Sequence, residues 1–279
     1  MKLFCRTLSF YKSVILISAF NFLLIKLNYN EEKKEERTGK SMAIEVFNRY
    51  EHKYLLNQAE YDAVREELER HMEPDAYNQG GKPYTITNLY YDTPDDYLIR
   101  TSLSKPVYKE KLRLRSYGVP QPEDAVFLEI KKKVRGLVNK RRSGILLSDA
   151  YRFAKTGILP PVTPEMNGQV MRELAYFLSV YRPVPKLYLA YDRVAYFERG
   201  NPDLRISFDQ KIRARRKELR LEAGDYGRLL LPEGQYLMEI KTAFAKPLWL
   251  TDLLTAHSLR RKNFSKYGTE FRQTVQAAV

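Results

Sequence analysis

The sequence predicts an α+β protein: an antiparallel β-barrel of about eight strands with helices packed on its outside. Three observations lead there. Several segments alternate basic and apolar residues with a period of two, the spacing that puts one set on each face of a strand. On most of the charged faces a carboxylate stands alone, two residues or so from a base. Segments with apolar residues at helical spacing are interspersed among the strands, suited to cover the strands' apolar faces.

Residues 108–117 show the pattern best. Lys109, Lys111, Arg113 and Arg115 share one face, and Tyr108, Glu110, Leu112 and Leu114 the other. One such strand alone reads equally well as a solvated edge. A set of them implies that the charged faces converge. Closing the sheet then makes a cationic interior, wide enough for a ligand at about eight strands.

With 279 residues, 44% hydrophobic and 13% aromatic, the chain suffices for one large domain with a sizeable core. Lys and Arg number 48 against 34 Asp and Glu, a formal charge of +14, which implies an anionic partner. A single cysteine, Cys5, excludes an intrachain disulfide and a cysteine metal cluster, and fits a reducing compartment. The phosphate-loop, dinucleotide, zinc-protease and serine-hydrolase motifs are all missing. His52, His71 and His257 are scattered and read as surface or packing residues.

Residues 1–41 differ from the rest. Lys2, Arg6 and Lys12 accompany an apolar run over 14–25, and 31–37 is a charged low-complexity run. The apolar run contains Asn21, ends at Lys26, and falls short of the roughly 18–20 residues a spanning helix needs. Either translation starts at Met42 or the run is a weak membrane anchor; a signal peptide ranks below both, since no Ala-x-Ala site follows. Residues 31–41 read as a disordered linker, and 42–279 as the folded domain.

The first strand, 47–55, places Phe47, Arg49, Glu51 and Lys53 on one face. Asn57 caps a helix from Gln58 to about Met72, with Tyr61, Val64 and Leu68 as its apolar stripe and Glu60 completing a capping box. Pro74 ends it, Gly80 and Gly81 turn the chain, and 84–91 is a strand. A short helix follows through 95–103.

Strand 125–133 sets Phe127, Glu129, Lys131 and Lys133 against Val126, Leu128 and Ile130. After a turn at Gly136, 137–147 returns with Lys140, Arg141 and Arg142. Helices at 149–155 and 164–181 follow, the second burying Met166, Val170, Leu174 and Phe177. Strand 185–197 carries Leu189, Tyr191 and Arg193 on one face. Strand 204–212 sets Arg205, Ser207 and Asp209 against Leu204, Ile206 and Phe208, and 236–241 sets Glu239 and Lys241 against Met238 and Ile240. Helices at 248–257 and 267–277 complete the chain.

Crowded like charges in an interior repel by several kcal/mol unless an anion lies among them. Arginine forks match phosphate oxygens, and one or two carboxylates suffice to hold a divalent ion that bridges phosphates.

The motifs Arg49-Tyr-Glu-His-Lys-Tyr54, Asn88-Leu-Tyr-Tyr-Asp-Thr-Pro94, Lys111-Leu-Arg-Leu-Arg115, Phe127-Leu-Glu-Ile-Lys131, Leu237-Met-Glu-Ile-Lys-Thr242 and Phe264-Ser-Lys-Tyr267 occur in the order seen in the VTC domain. That is the polyphosphate polymerase domain of the vacuolar transporter chaperone complex and its bacterial relatives, and the resemblance spans roughly 44–275. It implies the triphosphate tunnel fold, an antiparallel barrel shared with CYTH phosphatases and cyclases. It also implies that Lys53, Arg113, Arg115, Lys131, Arg193, Lys241 and Lys266 serve catalysis in the lumen. Lys140, Lys111 and Arg205 would grip phosphate, and Glu239 would bind Mn²⁺ or Mg²⁺, with Glu51, Glu129 and Asp209 as metal or water ligands or as internal salt-bridge partners. One departure stands out: Arg49 occupies the place of the first Glu in the CYTH Glu-x-Glu-x-Lys strand, which favours a grip on a longer polyanion over a two-metal hydrolase.

The expected function is transfer of the terminal phosphate of a nucleoside triphosphate to a polyphosphate chain. The alternatives are a tunnel triphosphatase and a non-catalytic polyphosphate binder. Nucleic-acid binding, the reading from charge alone, requires Arg113 and Arg115 to point outward. The expected location is cytoplasmic, with a possible membrane-protein partner at the cytoplasmic face of a membrane.

Overall fold

The computed structural model describes residues 50–135 and 137–277. The leader, Arg49 and the expected turn at Gly136 lie outside the described residues. Among the described residues ten strands occur in chain order: β1 Tyr50–Leu56, β2 Met72–Pro74, β3 Tyr84–Asp92, β4 Tyr108–Tyr117, β5 Ala125–Val134, β6 Leu137–Leu146, β7 Val184–Glu198, β8 Asn201–Arg215, β9 Arg228–Leu229 and β10 Tyr236–Thr242. The helices are α1 Gln58–His71, α2 Tyr97–Leu103, α3 Leu147–Thr156, α4 Gly168–Tyr181, α5 Leu248–Ala256 and α6 Lys266–Gln276.

The main path through the sheet runs β1-β10-β8-β7-β3-β4-β5-β6, with β2 added to β7 and β9 to β8. All of these pairings are antiparallel. The expected barrel is present as a curled sheet rather than a ring closed by backbone hydrogen bonds. Among the described residues no ladder joins β1 to β6. The curl is tight enough for Lys131 on β5 to come within 4.0 Å of Glu51 on β1, although the path places the two strands far apart.

The apolar faces are covered as their alternation requires. One outer core joins Leu112, Leu114, Val126, Leu128 and Ile130 to Phe153 of α3 and to Val170, Leu174 and Phe177 of α4. A second joins Tyr54, Ile206, Phe208, Met238 and Ile240 to Val64 and Leu68 of α1 and to Leu250, Leu253 and Leu254 of α5. Burying such residues is worth roughly 1.5–3 kcal/mol per large side chain, so the strands' orientation is set from the outside.

Local signals hold in detail at α1. The Asn57 side chain accepts from the Glu60 amide at 2.9 Å, and the Glu60 carboxylate accepts from the Asn57 amide at 2.8 Å, satisfying two donors a helix start leaves open. Elsewhere the boundaries differ. The helix expected from Pro164 begins at Gly168, because Asn167 supplies the cap by accepting from the Val170 amide at 3.1 Å; Met166 packs on the core from outside the helix. Met72–Pro74 continues past α1 as a strand against Tyr196–Glu198.

The larger surprise is an apolar core on the concave side. Ile86, Leu187, Leu189, Tyr191 and Leu237 cluster there with Tyr267 of α6, flanked by Phe264 and Phe271. A bulge makes this possible. Lys211 sits at φ 46°, and the β7–β8 register shifts between Ala190 and Asp192. A strand that gains a residue reverses the facing of every residue beyond the insertion. Past Asp209, Ile212 and Ala214 therefore join the concave cluster. Helix α6 covers this apolar floor and brings Lys266 onto the charged face.

Candidate functional site

The charged faces do converge. Registers place Lys53 opposite Glu239 and Glu51 opposite Lys241, Lys241 opposite Arg205, and Arg193 opposite Asp209. On the other side, Arg113 is opposite Glu129, Lys111 opposite Lys131, and Lys131 opposite Lys140. Two banks result.

The first bank comprises β1, β10, β8, β7 and the start of α6, and it is rich in carboxylates. Glu239 is the hub: Lys53 lies 3.0 Å from it, Lys266 3.2 Å, Arg193 3.7 Å and Lys241 3.8 Å. Asp209 receives a two-pronged Arg193 at 2.6 and 2.8 Å and Lys266 at 2.5 Å. Lys53 also touches Glu51 at 3.1 Å. Burial pushes the Glu239 carboxyl up, yet Lys266, Lys53, Lys241 and Arg193 together hold it well below the usual carboxylate range. Glu51 feels burial and the Glu239 charge as upward pushes, but Lys131, Lys53 and Lys241 bring it to about 2.

The second bank comprises the concave faces of β4, β5 and β6, and among the described residues these carry one buried carboxylate, Glu129. Glu129 binds Arg113 at 2.7 Å and Lys140 at 3.2 Å, with Arg115 at 4.0 Å. Among the described residues the Lys111 ammonium has the hydroxyl of Ser265, at 3.3 Å, as its hydrogen-bond partner. Lys111 and Lys140 are depressed to about 8, first by burial; neighbouring cations add to it, although Tyr90 and Glu129, respectively, push the other way. Lys241 on the first bank falls to about 7, again led by burial. Lys131 and Lys140 are only partly buried, their side chains 42% and 40% exposed.

Every expected site residue among the described ones lies on this concave face or at its edge. Arg205 is turned toward the edge, held by Asp75 at 2.9 Å. Arg113 and Arg115 point inward, contrary to what a nucleic-acid groove requires.

Sequence reasoning missed two members of the face, Asn88 and Tyr90, and the part played by Tyr191, which it groups with Arg193. Arg113 donates to the Tyr90 hydroxyl at 3.1 Å, and Arg115 to Asn88 and to the Tyr191 hydroxyl, each at 3.0 Å. Burial raises Tyr90, but Arg113, Arg115 and Lys111 outweigh it and bring the phenol down to about 8. The signal was available: Asn88 and Tyr90 alternate with the buried Leu89 and Tyr91.

The sequence pattern that defines the VTC domain matches residues 48–275. The chain belongs to the VTC domain family. No curated protein matches it. Among solved structures, a candidate adenylate cyclase from Bacillus halodurans is 14% identical, covering 79% of this chain and 94% of that one with a TM-score of 0.47. A candidate adenylyl cyclase from Hippeastrum, described as revealing a dominant triphosphatase activity, is 16% identical over 80% and 95%, with a TM-score of 0.45. A mimivirus capping enzyme triphosphatase is 12% identical over 82% and 94%, with a TM-score of 0.30.

In this VTC domain, the donors for a divalent ion divide sharply. Among the described residues no group of three or more His, Cys, Asp or Glu is spaced to hold a metal. Glu129 and Asp209 are each clasped by an arginine. Glu239 and Glu51 fit a different arrangement, in which one or two carboxylates hold Mg²⁺ or Mn²⁺ and phosphate oxygens complete the shell. Lys53 lies between them, within 3.1 Å of both, filling with an ammonium the place where their negative charges meet.

Proposed function

We propose that this VTC domain draws a nucleoside triphosphate and the end of a polyphosphate chain onto its concave face and transfers the terminal phosphate from one to the other. The observation that carries the reading is the imbalance between the banks. Against Lys111, Arg113, Arg115, Lys131 and Lys140 the second bank sets the single carboxylate Glu129. It pairs with Arg113, Arg115 and Lys140, while Lys131 reaches Glu51 only at 4.0 Å, so the bank keeps a surplus of positive charge. A multiply charged linear anion offsets that repulsion.

The residues divide the work by position. Arg113 and Arg115, braced by Glu129, Tyr90, Asn88 and Tyr191, present fixed guanidinium forks to phosphate oxygens. Lys111, Lys131 and Lys140 neutralise the chain beyond them, and Arg205 holds phosphate at the edge. Across the face, Lys53, Arg193, Lys241 and Lys266 meet the transferring group. Glu239 and Glu51 would hold a divalent ion once the Lys53 ammonium moves from between them onto phosphate, and such an ion would add neutralisation of charge on the phosphate oxygens.

The choice of acceptor rests on proton chemistry. Glu51, Glu129, Asp209 and Glu239 are all held low by cations, and carboxylates so strongly paired are poor general bases. The end of a polyphosphate chain is already ionised and needs no base, whereas water would need Lys241, brought down to about 7, as its base in place of the charge it gives the transferring group. Phosphoryl transfer runs mainly on positioning and charge stabilisation, which this face supplies.

Incubating the full chain with ATP and Mn²⁺ and resolving products by gel tests the proposal. A ladder of polyphosphate with matching ADP is expected. ADP and orthophosphate without polymer would replace it with triphosphate hydrolysis.

A further inference from the structure

We propose that an aromatic platform at one edge of the concave face stacks the base of the nucleoside triphosphate whose phosphates occupy the charged face. The proposal rests on the phosphoryl-transfer reading and adds to it the part of the substrate that lies outside the charges.

The inward faces do not end with the cations. Two residues past Arg115, β4 carries Tyr117; two residues before Glu129, β5 carries Phe127; and β3 opens with Tyr84, opposite Arg193. Strand residues two apart lie roughly 6.5 Å apart on the same side, so these rings form the next row after the guanidinium groups. A tight turn from Ala76 to Gly81 adds Tyr77. Tyr77 and Tyr117 are parallel within 8°, with centroids 5.8 Å apart. Tyr84 leans on both at 5.8 and 6.1 Å, and Phe127 meets Tyr117 edge-on at 6.1 Å.

The group is not buried as a core would be. Tyr77 is 71% exposed and Tyr117 44%. Cations ring it: Arg142 lies over Phe127 at 4.7 Å, and Arg205 reaches the Tyr84 hydroxyl at 3.4 Å. The Nε of Arg205 is buried with no hydrogen-bond partner, a donor left over at the boundary between rings and charges. A ligand with a flat aromatic end and an anionic tail matches this sequence of surfaces, and a nucleoside triphosphate has that order. Stacking of this kind tolerates any base, so modest discrimination among ATP, GTP and UTP is expected.

The test compares calorimetric affinities of the full chain for ATP and for inorganic tripolyphosphate, in wild type, Tyr77→Ala, Tyr117→Ala and Tyr117→Phe. The exposure of Tyr77 makes its removal safe for folding, and Tyr117→Phe keeps the ring. ATP binding is expected to weaken roughly tenfold in each alanine variant, with tripolyphosphate unchanged and Tyr117→Phe close to wild type. ATP affinity unchanged in both alanine variants, or equal losses for both ligands, would overturn the platform while leaving the charged face intact. Failure of wild type to bind tripolyphosphate would instead overturn the phosphoryl-transfer reading beneath it.

Discussion

The two banks of the concave face are built from the same materials and behave as opposites. On the first, Glu239, Asp209 and Glu51 take up Lys53, Lys241, Lys266 and Arg193, so charge is largely cancelled within the protein. On the second, Glu129 alone serves Arg113, Arg115 and Lys140, while Lys111 and Lys131 add charge with little compensation. A cancelled bank is stable without ligand and holds its groups in fixed places, as a reacting centre requires. An uncancelled bank is strained until an anion arrives, as a gripping surface requires. The division separates positioning for chemistry from affinity, and each half can be attacked separately.

Removing the hub should have the largest effect. Glu239→Ala takes a carboxylate from four cations, leaving Lys53 to Glu51 and Arg193 and Lys266 to Asp209 while Lys241 loses its ion pair. Breaking a buried pair from one side costs about 3–5 kcal/mol. A thermal melt should show a large drop that saturating tripolyphosphate partly restores, and turnover should fall by at least about a hundredfold while anion binding survives. Loss of binding in parallel with turnover would erase the distinction between the banks.

Next come the second bank's forks. Arg113→Ala or Arg115→Ala removes charge-assisted hydrogen bonds worth roughly 1.5–3 kcal/mol, so tripolyphosphate affinity should weaken about ten- to a hundredfold by calorimetry. Arg113→Ala should also destabilise the free protein, since Glu129 is 2% exposed and loses its nearest partner. Arg113→Lys should rescue the stability more than the affinity, because an ammonium restores charge without the fork.

Titration of the second bank moves stability and affinity in opposite directions. Lys111 and Lys140 are protonated to only about pH 8 in the folded protein, against roughly 10.4 in an unfolded chain. Between about pH 8 and 10 the unfolded chain therefore binds more protons, and these two groups make the free protein more stable as pH rises. Affinity for tripolyphosphate should move the other way, falling several-fold from pH 7 to 9 as the second bank discharges. Affinity that stays flat over that range would contradict the role given to these lysines.

The smallest effect belongs to Lys131→Ala. Its ammonium is 4.0 Å from Glu51 and open to water, and exposed pairs contribute roughly 0–1 kcal/mol. Stability should barely change.

Much of this was legible in the sequence. Alternation told which side chains share a strand face, so Lys111, Arg113 and Arg115, or Glu239 and Lys241, were grouped correctly. The capping box at Asn57 and Glu60 was readable because its bonds span three residues. What stayed hidden was long-range or out of phase. Nothing local says that Lys131 approaches Glu51 across the curl. The bulge at Lys211 breaks the period, so the concave position of Ile212 cannot be extrapolated from Asp209. Helix α6 was expected as one more helix, but its Tyr267 caps an apolar floor while Lys266 reaches Asp209. A local pattern does not encode which side of a sheet a helix will cover.

The most direct measurement is a crystal structure of the full chain soaked with tripolyphosphate. Phosphorus atoms should lie between the banks, within hydrogen-bonding reach of Arg113 and Arg115 on one side and of Lys53, Lys241 or Lys266 on the other. Phosphate found only away from the concave face, for example on the exposed residues Arg260, Arg261 and Lys262 that follow α5, would contradict the account.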